Sequence, residues 1–423
     1  MGYWKQKMLE EQERGWSSLG DKYVCAKCFE DAALAAFVSE NAVEHECDYC
    51  GRKSRKRPIA VGINEVMEVF DEGIRSEWGH PDDEGVAYES AEGGYQGEVL
   101  DTYDLIHDAL ENPFANDKLA DDVISSFTRQ GALWCQKDFY GLLPQEVLRY
   151  GWEKFVSVVK HSKRYLFSKD TGEMDHLGGD EELPPGKFLE RFGEIITQIG
   201  LVRNLKSGTQ IYRVRVHDPK ETFQTAASLG TPSAENARFS NRMSPAGIPM
   251  FYGAFDEKAA VRETFDPSRN NNVVITVGQF RTAREFPVVD LTRVPSVPSI
   301  FDSARRDSRP DIIFLNHFMR DFQAQVTKDG RKHIDYVPTQ IVTEYIRHLY
   351  SHPDYGVVRG VLYSSVRGEG ECCVLFFDND QCCNIERGWA EAKEQYSEDR
   401  PRFWLGLDCE KIRRVVPPDS NSQ

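Results

Sequence analysis

The chain has no apolar run approaching the roughly 18 residues that a membrane-spanning helix requires. Its first residues, MGYWKQKM, lack the apolar segment of an export signal, and Gln6 stands where an N-myristoylation motif needs Ser or Thr. Also missing are a GxxxxGK[ST] phosphate loop, a GxGxxG opening a helix and a GxSxG nucleophile elbow. These absences argue against kinase, dinucleotide-dehydrogenase and α/β-hydrolase chemistry, and the expectation is a soluble, cytoplasmic chain with no membrane partner. Basic residues are in deficit, 52 Lys and Arg against 68 Asp and Glu, for a net charge of −16. A field of that sign repels phosphate backbones at long range and disfavours nucleic acid as a partner. The one dense basic stretch, GRKSRKRP at 51–58, reads as a solvated turn.

With 423 residues the chain exceeds a single ordinary core, so two or three domains are expected. Ten cysteines without an export signal read as reduced thiols or metal ligands. Cys25 and Cys28 (CAKC) are followed after eighteen residues by Cys47 and Cys50 (CDYC), the spacing of a tetrahedral zinc site. Four thiolates leave no open coordination position, so the expected zinc is structural; His45 lies beside the second pair but is not needed. A second cluster, ECCVLFFDNDQCC, holds Cys372, Cys373, Cys382 and Cys383. Adjacent cysteines on an extended chain point to opposite faces, which suits strand positions better than a shared metal.

The pattern of apolar residues divides the chain into an α+β order of parts. Residues 1–60 form the zinc module, with a short helix in FEDAALAAFVSENAV and so little core that metal would supply much of its folding energy. Residues 61–206 place apolar residues three and four apart in GINEVMEVFDEGIRSEW, DKLADDVISSF, LPQEVLRYGWEKFVSVVKHSKRYLF and PPGKFLERFGEIITQIGLVRNL, which predicts a helical domain. From 207 to 417 strand-like segments such as QIYRVRVH, NNVVITVGQF, VVRGVLYSS and CCVLFFD alternate with helices, which predicts a catalytic-sized domain. The polar tail 418–423 is expected to be disordered.

Within this last part, polar residues gather where strands and turns meet. Arg213 and Arg215 share one face of a strand while Tyr212 takes the other. Arg238 and Arg242 belong to an irregular loop, Tyr252 ends the strand after it, and Glu263 sits in the helix DEKAAVRETF. Ser364 and Ser365 follow the strand VVRGVLY, with Arg367 close behind. Guanidinium groups bind phosphate in a bidentate manner, so such a set suits a phosphorylated ligand. Surface arginines and a helix-capping glutamate remain the alternative.

The segments YRVR, NRMSPAGIPMFYGAFDEKAAVRETF, YVPTQIVTEYIR and GVLYSSVRGEGECCVLF together resemble the RES domain, named for its Arg, Glu and Ser. Arg242, Pro245, Gly247, Pro249, Tyr252, Glu263 and Ser365 occupy the matching positions over residues 207–417. Met243 and Ser244 depart from the pattern, which often has an aromatic residue and Asn there. The zinc module and helices resemble the HEPN/RES amino-terminal region attached to some of these proteins. The resemblance implies a fold similar to ADP-ribosyltransferases of the diphtheria-toxin type and a toxin-like enzyme with NAD as substrate. Cleavage of the nicotinamide–ribose bond would lead to hydrolysis, phosphorolysis or ADP-ribosyl transfer. It further implies that Glu263 stabilises the oxocarbenium charge, that Arg213 and Arg242 grip the pyrophosphate, that Tyr252 lies near the nicotinamide ribose, and that Ser365 orients the nicotinamide or its ribose.

Two further readings concern the amino-terminal half. RSEWGH, Arg75 to His80, satisfies the Arg-x4-6-His mark of a HEPN-type RNA nuclease, a spacing that also arises by chance in a chain with ten histidines. The other reading makes this half a module that regulates or targets the RES domain, through an antitoxin or other regulatory protein, with self-assembly left open.

Overall fold

The computed structural model describes residues 3–128, 131–169, 183–265, 273–323, 332–365, 367–385 and 403–415. The tail 418–423 lies outside them. Two compact units emerge, one of residues 1–144 with 296–310 and the other of 145–295 with 311–423. Sequence periodicity places divisions near 60 and 206, and the packing explains why these units divide elsewhere. In the first unit β1 (Tyr23–Cys25) pairs antiparallel with β2 (Ala60–Gly62), beside helix α1 (Ala32–Glu40), whose N-terminus Asp31 caps by accepting from the Ala33 and Leu34 amides. Helices α2 (Ile63–Glu77) and α3 (Asp117–Thr128) follow. Cys25, Cys28 and Cys47 share one core with Phe70 of α2 and Phe127 of α3, so the cysteine module and the helices are not separate bodies.

The second unit begins with α4 (Pro144–His161) and α5 (Pro185–Gln198), then β3 (Val202–Leu205), β4 (Gln210–His217), β5 (Phe251–Ala254) and α6 (Glu257–Thr264). It continues through β6 (Val274–Thr282), β7 (Phe286–Asp290), α7 (Arg309–Gln323), α8 (Val337–His348), β8 (Gly360–Ser364) and β9 (Glu371–Leu375). The last strands are β10 (Cys382–Ile385), β11 (Leu405–Asp408) and β12 (Arg413–Val415). All of these strands form one ten-stranded sheet in the order β10-β11-β6-β4-β5-β9-β8-β7-β3, with β12 also paired to β6. The segment GLVRNL, helical by its spacing, instead supplies edge strand β3, antiparallel to β7 from Val202↔Val289 to Leu205↔Phe286. Gly200 causes the change: its φ of 73° ends the helical run before β3.

Alternation along the strands builds two cores. Val214, Ala254, Val277, Val361, Cys372 and Val374 lie on one face and pack with Trp152, Phe155, Phe188, Phe192, Phe314 and Phe318 from the helices. Ile211, Phe251, Phe280, Phe286, Leu362, Cys373 and Leu375 fill the other face. Cys372 and Cys373 thus separate to opposite faces, as an extended chain requires.

Residues 296–310, between β7 and α7, belong to the first unit. Ile300 and Phe301 are buried in its core, and Phe301 stacks on Phe70 with ring centroids 4.9 Å apart. Arg309 donates to Glu77 at 2.7 Å, and Arg306 pairs with Glu72. Gly73 permits this approach, because a Cβ there would meet the Phe301 ring at 2.4 Å. Alanine at 73 would gain about 1 kcal/mol of helix propensity and lose about 1–3 kcal/mol to overpacking. Gly73→Ala is therefore expected to lower the thermal unfolding midpoint; a raised midpoint would show that residues 296–310 do not pack on α2 this tightly.

Candidate active site

Glu263 and Ser365 meet on one face of the sheet, and Tyr252 lies on the same face. β5 and β8 flank β9 with the register Tyr252↔Val374, Ala254↔Cys372 and Tyr363↔Cys372, so Tyr252, Tyr363 and, just past the end of β8, Ser365 share one face of the sheet. α6 follows β5 directly; Asp256 caps it by accepting from the Ala259 amide at 2.9 Å, and Ala259, Ala260 and Val261 bury its inner face. That orientation brings Glu263, half-buried on the last turn, to the end of β8. Ser365 Oγ donates to Glu263 Oε1 at 2.6 Å, joining residues 102 positions apart. The charge of Glu263 is felt by its neighbours: Cys372 is pushed up to about 12 by burial first and by Glu263 next, and Tyr363 is raised by burial, Cys372 and Glu263.

Tyr252 is held by a residue that departs from the family pattern. Ser244, 2% exposed, sits 2.8 Å from the Tyr252 hydroxyl, and its carbonyl accepts from the Asn241 amide at 2.8 Å. Burial raises Tyr252 to about 12, while the Ser244 hydrogen bond opposes the shift. The loop around it is pinned to α8: Thr339 Oγ1 donates to the Arg242 carbonyl at 2.5 Å, and Gln340 Nε2 donates to Ser240 Oγ and the Asn241 carbonyl at 2.7 Å each. Sequence reasoning assigned no role to Ser244, Thr339 or Gln340. Thr339 and Gln340 carried a usable signal, since both are polar residues on the buried face of an amphipathic helix.

Of the two arginines expected at phosphate, Arg213 lies on the other face of the sheet and Arg242 belongs to the loop that leads to Tyr252. Arg213 alternates with Tyr212 and Val214, so it leaves β4 on the face opposite Tyr252 and Glu263, with its guanidinium 4.9 Å from the Phe251 ring centroid. The register joins β4 to β5 at Ala254↔Tyr212, and Arg213 Nη1 donates to the Tyr252 carbonyl at 2.6 Å where a longer ladder would supply an amide. Arg215 donates to the Gly230 carbonyl at 3.1 Å. Both Nε atoms are buried without a partner, and no carboxylate pairs with either guanidinium among the described residues. Burial and the neighbouring Arg215 lower Arg213 well below its ordinary range, and burial lowers Arg215 as well. Arg242 is half-buried and donates to the Phe322 carbonyl at 3.0 Å, at the end of α7. Arg238 is exposed.

The four amino-terminal cysteines form a separate cluster, with every Sγ within 4.8 Å of the others. Cys25 to Cys50 is 3.5 Å, Cys28 to Cys47 is 3.7 Å and Cys25 to Cys28 is 4.0 Å. Tetrahedral bonds of about 2.3 Å to one zinc would separate sulfurs by about 3.8 Å, so the residues fit a tetrathiolate site and could hold a metal ion. The Cys28–Cys47 hydrogen bond lowers Cys47, while burial raises Cys25. Arg75 and His80 of the nuclease-like mark are occupied locally. Arg75 pairs with Asp71 at 2.9 Å, His80 Nδ1 accepts from the Asp82 amide at 3.2 Å, and no hydrogen bond or ion pair joins the two.

A family model described as HEPN/RES N-terminal domain 1 matches residues 40–173, and one described as RES domain matches residues 210–391. No curated protein and no solved structure gives a match. The second span contains Arg213, Arg242, Tyr252, Glu263 and Ser365, and the first begins between the two cysteine pairs. The chain is a RES-domain protein in which a HEPN/RES N-terminal domain precedes the RES domain.

Proposed function

We propose that the RES domain consumes NAD by breaking the bond between nicotinamide and ribose, with Glu263 beside the ribose that loses it. The observation that carries this reading is the Ser365–Glu263 hydrogen bond on the face that also holds Tyr252. When the C1′–N bond breaks, its electron pair leaves with neutral nicotinamide and positive charge develops on the ribose. A nearby carboxylate stabilises that charge. Tyr252, half-buried on the same face and fixed by Ser244, would pack against the ribose or nicotinamide, and Ser365 would orient Glu263 while contacting the same group. Arg242, half-buried in the loop that leads to Tyr252, is the proposed pyrophosphate ligand, because a guanidinium binds phosphate oxygens in a bidentate manner; Arg213, expected to share that role, lies on the face of the sheet opposite Glu263. Water, inorganic phosphate or a protein side chain would then add to C1′, giving hydrolysis, phosphorolysis or ADP-ribosyl transfer.

For the amino-terminal unit we propose a regulatory or targeting role, through an antitoxin or other regulatory protein, with zinc as the structural ion of Cys25, Cys28, Cys47 and Cys50. Supporting a regulatory link is the segment 296–310, which lies between β7 and α7 of the RES sheet yet is built into the amino-terminal core.

Two experiments test these readings. Purified full-length protein is expected to release nicotinamide from NAD, with Glu263→Gln slowing release by roughly 10²–10³-fold; equal release by both proteins would remove Glu263 from the reaction. Metal analysis is expected to find zinc bound at a level that Cys47→Ser reduces, and a strong chelator is expected to lower the thermal midpoint of the wild type. A zinc-free protein whose midpoint ignores both chelator and Cys47→Ser would overturn the metal reading.

A further inference from the structure

Glu263 stands on the last turn of an eight-residue helix, a place that frays unless its final carbonyls find donors. Those donors come from a loop about a hundred residues later. Arg367 Nη1 donates to the carbonyls of Phe265 at 3.0 Å and Arg262 at 3.3 Å, capping the C-terminus of α6 with a cation, where the helix dipole favours one. Arg262 returns the contact by donating from Nη2 to the Glu369 carbonyl. The arginine adjoining Glu263 thus grips the loop after Ser365, and an arginine of that loop grips the helix end.

The sequence RGEG makes this close approach feasible. Gly368 and Gly370 have φ of 139° and 128°. A Cβ on Gly370 would lie 2.7 Å from Ala259 Cβ, and one on Gly368 would lie 3.1 Å from Arg262 Nε. The loop therefore lies directly on α6. It also fixes the serine: the Ser365 amide donates to the Gly370 carbonyl at 2.8 Å, and the Arg367 amide donates to Ser365 Oγ at 3.3 Å. With an amide donating to its oxygen, the Ser365 hydroxyl is oriented to give its proton to Glu263.

We propose that Arg262 and Arg367 are reciprocal positioning residues that hold Glu263 and Ser365 in register by tying the end of α6 to the loop between β8 and β9. The proposed activity gives this clasp its use, so its role in turnover rests on that reading; the clasp itself does not. Neither arginine needs to touch substrate. Misplacing a reacting group by about 1 Å costs up to roughly a hundredfold in rate.

The test uses full-length wild type, Arg367→Ala, Arg367→Lys and Arg262→Ala, comparing amide hydrogen exchange with NAD turnover. Both alanine variants are expected to exchange faster at the Phe265 and Ser365 amides, with protection in the strands of the sheet unchanged. Arg367→Lys, which can place one ammonium near the carbonyls, should be intermediate. In turnover, kcat is expected to fall roughly tenfold to a hundredfold while KM for NAD stays within about twofold, a split that general destabilisation would not give. Unchanged exchange at Phe265 and Ser365 overturns the clasp. Faster exchange with unchanged kcat in an active enzyme overturns the positioning role. A wild type that leaves NAD intact removes the proposed activity and with it the role in turnover, and the exchange comparison still decides the clasp.

Discussion

A carboxylate on the last turn of a short helix is loosely held unless a partner fixes it, and the 2.6 Å hydrogen bond from Ser365 to Glu263 is that constraint. Much of the RES unit can be understood as what this contact requires. β5 must run directly into α6 so that Glu263 falls beside the end of β8, and β9 must lie between β5 and β8 to set their spacing. The loop after Ser365 must then lie flat on α6, which two glycines allow. Tyr252 joins the same face because β5 alternates, and Ser244 and the α8 residues Thr339 and Gln340 hold the loop that leads into it.

Electrostatics separates this face from the other side of the sheet. Burial first and Glu263 next raise the thiol Cys372, and burial, Cys372 and Glu263 raise the phenol Tyr363. On the far face Arg213 is buried and Arg215 half-buried, with backbone carbonyls as their acceptors. Arg213 also ties the two strands, since its donor satisfies the Tyr252 carbonyl where β4 and β5 share a short ladder. Arg213 thus bears on the position of Tyr252 from the opposite face.

The sequence disclosed much of this because the relevant patterns are local. Alternation in QIYRVRVH and the 3.6-residue spacing in DEKAAVRETF are properties of single segments, and both became the expected elements. Two matched CxxC pairs likewise announced a converging cluster. Tertiary choices were hidden. GLVRNL has apolar residues compatible with a helix, but pairing with β7 and the turn at Gly200 make its end a strand. The strand parity that put Arg213 and Arg215 on one face was readable, whereas which face Glu263 would occupy depended on where α6 packs. Residues 296–310 carry no mark of their membership in the amino-terminal core, because a short apolar pair such as Ile300 and Phe301 fits many partners. A fragment cut at 207 would expose that pair, so the intact chain is the proper object for functional work.

If NAD is cut at the bond between nicotinamide and ribose, the identity of its products will show it. NAD incubated with the intact protein, with and without inorganic phosphate, would be resolved by chromatography and mass spectrometry. Nicotinamide together with ADP-ribose, its phosphate ester or ADP-ribosylated protein is the expected result. Intact NAD, or AMP with nicotinamide mononucleotide from cleavage at the pyrophosphate, would contradict it.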